Sequence, residues 1–184
     1  MTPTEMLIDL MEFNANWIKN AVADMPTELL HWTPDPDANS ISVTIWHVAR
    51  MLDVFLVHFL QGQTQEDELW FRNGWDKKVA YDSRGLGIAG FGSVIGYTAE
   101  EVAAIPQFER DLLFDYFDRT HQAMYDYLGG LPEGGLAELR QWGKNDQSVY
   151  AWVRHVFQDS VRHCGEILTL QAMWNRQKQQ EAQT

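Results

Sequence analysis

The sequence has a single cysteine among its 184 residues. One thiol cannot close an intramolecular disulfide, and it excludes a zinc site built from several cysteines. Positive charge is also scarce: 14 Lys and Arg stand against 26 Asp and Glu, a formal net charge of −12. Phosphate backbones are held by clustered Lys and Arg, so this balance argues against DNA or RNA as a partner. It argues equally against docking on an anionic membrane surface. An uninterrupted apolar run of spanning length is missing. The longest candidate, Ile41 to Leu60, is broken by His47, Arg50, Asp53 and His58, so no membrane span is expected. The opening residues Met1-Thr2-Pro3-Thr4-Glu5 hold neither a basic region nor an apolar core, and a soluble, cytoplasmic protein is the expectation.

What is present is enough apolar residue for a core, 45% of the chain, and a length that suits one domain. Four segments carry helical periodicity. The first runs from Thr2 to about Asp24, where Thr2, Pro3 and Glu5 supply an N-cap, a first-turn proline and a capping-box glutamate. Leu7, Leu10, Met11, Phe13, Trp17, Ile18, Ala21 and Met25 follow at helical spacing. The second, about Ser42 to Gln61, is apolar on most sides, as suits a helix packed by several neighbours. The third covers roughly Gln107 to Leu128, preceded by a short helix that the capping box Thr98-Ala99-Glu100-Glu101 announces. The fourth spans about Ser148 to Arg176. Alternating runs are absent and no strand is expected. Four helices of this length predict an all-α four-helix bundle, one domain over 1–176 followed by a polar, frayed tail at 177–184.

The connections are uneven. Pro26 to Ile41 is a compact turn stiffened by Pro34 and Pro36. About 45 residues separate the second and third helices, and seven of the thirteen glycines lie between Gly62 and Gly96. A crossover of that length is usually functional and lets two consecutive helices run parallel. It is expected to return to the end of the bundle that carries His47. Gly129 to Gln147 holds five glycines and reads as a surface loop.

The fourth helix places His155, Asp159 and His163 at i, i+4 and i+8. Side chains four apart have Cβ atoms ~5–6 Å from one another, so Asp159 and His163 can reach one divalent ion at ~2.0–2.2 Å. His155 and His163 are ~12 Å apart along the axis and cannot share it. A third ligand must come from another helix, and His47 is the best candidate, in the most apolar part of the chain. The plainer alternatives are a chance D-x-x-x-H pair and a core histidine satisfied by a hydrogen bond. His58 lies three turns from His47, and His31 and His121 have no ligand partner at helical spacing.

Asn39-Ser40-Ile41-Ser42 and Ile45-Trp46-His47-Val48-Ala49-Arg50 resemble the second-helix signature of the DinB-like superfamily. Asp159-Ser160-Val161-Arg162-His163-Cys164-Gly165-Glu166-Ile167 resembles its last-helix motif, and Leu30-His31-Trp32-Thr33-Pro34 fits the turn after its first helix. The resemblance covers about 1–176. It implies an up-down-down-up bundle whose divalent metal is held by His47, Asp159 and His163. Many members have histidine at the place of Asp159; the mycothiol-dependent maleylpyruvate isomerases, with a carboxylate there, are more similar to this chain.

Two imidazoles and one carboxylate leave open positions on a zinc, nickel or similar ion, and the resemblance implies a metal-dependent thiol S-transferase or a hydrolase acting on a small-molecule substrate. A low-molecular-weight thiol is then the cosubstrate. The alternative is a non-catalytic, stress-associated binding protein with a structural metal or none. Relatives often form dimers, so a homodimer is compatible with the sequence. Glu166 shares the stripe of Asp159 and is a candidate to hold a ligand in place, with a bond to solvent or a neighbouring helix as the alternative. Arg50 and Arg162 suit either an anionic substrate or surface salt bridges, and for Arg50 the surface is the expectation. Gly85-Leu86-Gly87-Ile88-Ala89-Gly90 matches a nucleotide fingerprint, but without a strand before it and a helix after it the match reads as loop flexibility. Cys164 reads as a small buried residue. Most tryptophans fall on helical core stripes; Trp70 and Trp75, in the crossover, are the two expected to cover the site.

Overall fold

The computed structural model describes residues 1–36 and 38–183. Asp37, in the expected turn, and Thr184, in the expected tail, lie outside the described residues. The fold is all-α. Helix α1 (Pro3–Val22) begins with the capping box seen in the sequence: Glu5 N donates to Thr2 Oγ1 at 3.2 Å and Thr2 N donates to Glu5 Oε2 at 2.7 Å. A short α2 (Thr27–His31) leads to α3 (Ile41–Val54), capped by Ser40 and buried at every residue. The next six residues, Phe55–Leu60, widen into a π-helical turn. The crossover holds three short α-helices, α4 (Leu69–Arg72), α5 (Trp75–Lys78) and α6 (Ala99–Ala103), the last with the expected Thr98/Glu101 capping box. Helices α7 (Arg110–Gly129) and α8 (Val149–Glu181) complete the bundle.

The long helices form a ring in the order α1, α8, α3, α7. The Arg110 guanidinium, at the start of α7, donates to the carbonyls of Val22 and Met25 at the end of α1, so these two run antiparallel. Asn14 Nδ2 donates to Ser160 Oγ at 2.8 Å and Trp32 packs on Trp174, so α1 and α8 run parallel. Trp46 stacks on Phe108 just before α7, while Leu60 meets Tyr127 near its end, so α3 and α7 are parallel too. The order is up-down-down-up, and the parallel α3/α7 pair is what the long crossover permits. Ile41–Leu60 is long and apolar enough to cross a membrane by composition, but 94% of its apolar window is buried in the bundle.

Four expectations change. Gly129 to Gln147 is not all loop: β1 (Leu139–Trp142) and β2 (Asn145–Ser148) pair antiparallel, with Trp142 opposite Asn145. Gly143 takes φ +60° at the first turn position, where a tight hairpin of the II′ kind needs a residue without Cβ. These strands have no apolar alternation, so the sequence pattern could not show them. The tail is helical as far as Glu181, held by Lys178 and Gln177 on the Glu181 carboxylate, although its side chains are exposed. The apolar residues of α1 lie on two faces. Leu7, Met11 and Ile18 enter the core, while Leu10, Phe13 and Trp17 are exposed.

Trp70 and Trp75, finally, do not cover the site. Both are fully buried against Tyr116, with Trp70 also edge-on to Trp46. Each tryptophan removes on the order of 200 Å² from water, roughly 5 kcal/mol of gross burial, and that gain anchors the crossover to the core.

Candidate metal centre

Helix α3 delivers His47 to the interior and α8 delivers Asp159 and His163 to face it. His47 Nε2 lies 3.2 Å from Asp159 Oδ2, and His163 Nε2 lies 3.6 Å from the same oxygen. The imidazoles meet edge to face with centroids 4.7 Å apart. One donor atom from each of the three residues falls within 4.8 Å of the other two. Tetrahedral bonds of ~2.1 Å place ligand atoms roughly 3.4 Å apart, so the two distances to Asp159 already suit a shared ion. The periodicity of α8 accounts for the Asp159/His163 pair. The addition of His47 is a product of α3 and α8 packing antiparallel.

The outer ring nitrogens are held by acceptors. His47 Nδ1 donates to the Ser93 carbonyl at 2.5 Å, and His163 Nδ1 donates to Glu166 Oε2 at 2.6 Å. A carbonyl only accepts, so Nδ1 of His47 carries a proton and Nε2 is the nitrogen turned to Asp159 and the centre, where a bound ion would take its lone pair. Glu166 imposes the same tautomer on His163. This is the arrangement that orients imidazoles on metals, and it gives Glu166 the supporting place read from the sequence. Arg162 donates to Asp159 Oδ1 at 2.8 Å, leaving Oδ2 for the imidazoles. Burial works against the Asp159 carboxylate charge, but the His47 hydrogen bond, the neighbouring imidazoles and Arg162 outweigh it and lower its pKa to about 2. Asp159 is therefore ionised, as a ligand must be.

Ser93 was not legible as a site residue, because its contribution is a backbone carbonyl. It belongs to a loop in which Gly92, at φ +62°, is packed so closely that a Cβ would lie 2.2 Å from the Ser83 carbonyl oxygen. Val94 follows at φ +74°, a strained conformation for a β-branched residue. Within the Gly85–Gly90 motif a Cβ on Gly87, at φ +64°, would lie 2.4 Å from the Ile95 carbonyl oxygen, so the motif belongs to the same tight loop and the expectation of flexibility is corrected.

Arg50 holds the same loop. It is fully buried, contrary to the expected surface salt bridge. Its guanidinium donates to the carbonyls of Phe91 (2.7 Å) and Gly92 (3.1 Å) and to Glu68 Oε2 (2.7 Å). Three successive carbonyls, 91 to 93, are therefore gripped by Arg50 and His47, one turn apart on α3. Desolvation opposes the Arg50 charge, but Tyr116, Glu68 and Asp53 overcome it and keep the guanidinium protonated. Asp53 accepts from Leu69 N at 2.8 Å and Trp70 N at 2.9 Å, capping α4 from a neighbouring helix. The buried charges thereby bolt the crossover to α3.

The other histidines lie elsewhere. His58 Nε2 bonds Glu68 at 2.7 Å, His31 bonds Ser42, and buried His121 donates to the Phe117 carbonyl. His155 is exposed and stacks on Phe55. Cys164 is buried and burial raises its thiol pKa, so it is a packed, protonated side chain.

A family model described as the DinB superfamily matches residues 12–167. The chain belongs to the DinB superfamily. In fold, this DinB chain is similar to a conserved protein of Enterococcus faecalis, with a TM-score of 0.74 and 23% sequence identity over 92% of this chain and 95% of that one. No curated protein matches this DinB sequence.

Proposed function

We propose that this DinB chain is a divalent-metal-dependent enzyme, a thiol S-transferase or a hydrolase, with His47, Asp159 and His163 as the ligands. One observation carries the reading: both imidazoles have Nδ1 tied to an acceptor while Nε2 converges on one carboxylate oxygen. A bound ion with open positions lowers the pKa of a thiol or water and supplies a nucleophile at neutral pH. The chain's own part is orientation and desolvation. Ser93 and Glu166 fix the ring tautomers, Arg162 fixes the carboxylate, and the crossover covers His47. A structural ion would call for a fourth protein ligand, and among the described residues the donor group holds three. Buried Cys164 is poorly placed as a nucleophile, so in a thiol reaction the sulfur comes from a small-molecule cosubstrate.

Elemental analysis of untagged protein tests the site. About one divalent ion per chain, lost in His47→Ala, is expected. Undetectable metal together with an unchanged melting temperature on adding Zn²⁺, Ni²⁺ or Mn²⁺ would sink the proposal. Turnover with low-molecular-weight thiols and with esters, abolished by a chelator and restored by metal, then tests catalysis. A stoichiometric ion without turnover in either assay leaves a binding protein.

A further inference from the structure

A cleft of about 330 Å³ lies one helical turn along α3 and α8 from His47 and Asp159. Its floor is α3 and the π-helical turn, through Met51, Phe55 and Phe59. Helix α8 gives Trp152 and His155, the crossover gives Phe91, and the hairpin gives Trp142. Met51 is one turn from His47 on α3, and His155 is one turn from Asp159 on α8, about 6 Å along each axis. Ser93 joins the two places: it lines the cleft, and its carbonyl accepts from His47.

The walls are aromatic to an unusual degree. Phe59 lies 4.7 Å from Trp152, 4.9 Å from Trp142 and 5.7 Å from Phe91, measured between ring centroids. Phe91 and Trp142 are themselves 5.7 Å apart. Such offset and tilted rings favour a further flat ring among them. Ile88 and Ile95, which also line the cleft, are exposed, 60% and 40% accessible. None of the lining residues is Asp, Glu, Lys or Arg, although these types make up 22% of the chain. The polar lining residues are Ser93, Asn145, Gln147 and His155, and the hairpin supplies the two neutral amides. The volume falls at the small end of the ~300–1,000 Å³ range of ligand pockets.

We infer that this cleft binds the ring of an uncharged aromatic substrate, with the amides of the hairpin meeting a neutral polar substituent. An anionic ligand would give up its hydration with no Lys or Arg in the lining to meet it. The cleft is a binding site in its own right. Only the assignment of its ligand as substrate rests on the proposed metal centre, one turn away.

Isothermal titration of the full chain, stripped of metal with a chelator, tests this with 2-naphthol and its anionic counterpart 2-naphthoate. One molecule of 2-naphthol per chain is expected, with 2-naphthoate at least tenfold weaker. Trp142 is half-buried on the hairpin and packs on Phe59 and Phe91, so Trp142→Ala should stay folded with a somewhat lower melting temperature and bind 2-naphthol about tenfold more weakly. Phe91→Leu, which keeps apolar volume but loses the ring, should weaken it as well. Absence of saturable 2-naphthol binding, equal binding of 2-naphthoate, or wild-type affinity in both ring variants would overturn the inference. Binding of 2-naphthol by a chain that takes up no metal would remove the proposed metal centre and leave the cleft standing. Stoichiometric metal without 2-naphthol binding would do the reverse.

Discussion

His47 donates its Nδ1 hydrogen to the carbonyl of Ser93 at 2.5 Å, across 46 positions of sequence. That bond joins the crossover to the candidate metal centre, and Arg50 holds the two preceding carbonyls of the same loop. The ring orientation of His47 thus depends on a buried charge network that never touches the ligand atom itself.

Arg50→Met tests that dependence. The substitution leaves Asp53 and Glu68 buried without their countercharge, which should cost about 3–5 kcal/mol of stability in urea unfolding. Arg50→Lys should recover little, because an ammonium cannot reach Glu68 and two carbonyls with a planar fork. A loss below about 1 kcal/mol in the methionine variant would show that the network does not anchor the crossover.

Glu166 gives a gentler perturbation. Glu166→Ala removes the acceptor on His163 Nδ1 and should weaken Zn²⁺ affinity by about 10–100-fold. Glu166→Gln keeps an acceptor oxygen and should lose less. Competition titration against a chromophoric chelator measures both, and equal affinities in the wild type and the alanine variant would detach Glu166 from the site.

Gly92 and Gly165 should respond in opposite directions. Gly92→Ala places a Cβ against the Ser83 backbone at positive φ, which should cost about 1–3 kcal/mol and weaken metal binding through Ser93. Gly165 lies within α8 with nothing near its absent Cβ, so Gly165→Ala should raise stability by about 0.5–1 kcal/mol. Thermal melts with a metal titration separate the two effects.

His121 predicts an acid-sensitive bundle. Burial lowers its pKa from 6.5 to about 4, against a smaller opposing pull from the Phe117 carbonyl. Below pH 6.5 the unfolded chain takes up a proton that the native imidazole refuses. Stability should therefore fall by about 3 kcal/mol between pH 6.5 and pH 4, with no further loss from this group below pH 4. His121→Leu should flatten that segment of the stability curve. An unchanged slope would assign the acid sensitivity to other groups.

The helices were legible because each is written in local periodicity and caps. Thr2 with Glu5 and Thr98 with Glu101 mark helix starts, and the interior faces recur every three or four residues. Arg50 was misread because one helix shows its charge without its partner: Asp53 is three residues on, but Glu68 and the loop carbonyls arrive only with the folded crossover. Trp142 was hidden in a segment whose strand pairing leaves no apolar alternation, and Trp70 and Trp75 were misplaced because a loop pattern does not reveal which rings the core will take in.

The sequence by itself determined the all-α bundle, the long crossover, the family motifs and the Asp159/His163 pair, since a four-residue step along one helix is fixed by its geometry. The tertiary structure decided that His47 meets Asp159 across 112 positions, that a Ser93 carbonyl sets its tautomer, and that five aromatic rings enclose a cleft beside it. Those relations depend on backbone carbonyls and on side chains brought together from separate helices, a loop and a hairpin, and no local pattern records them.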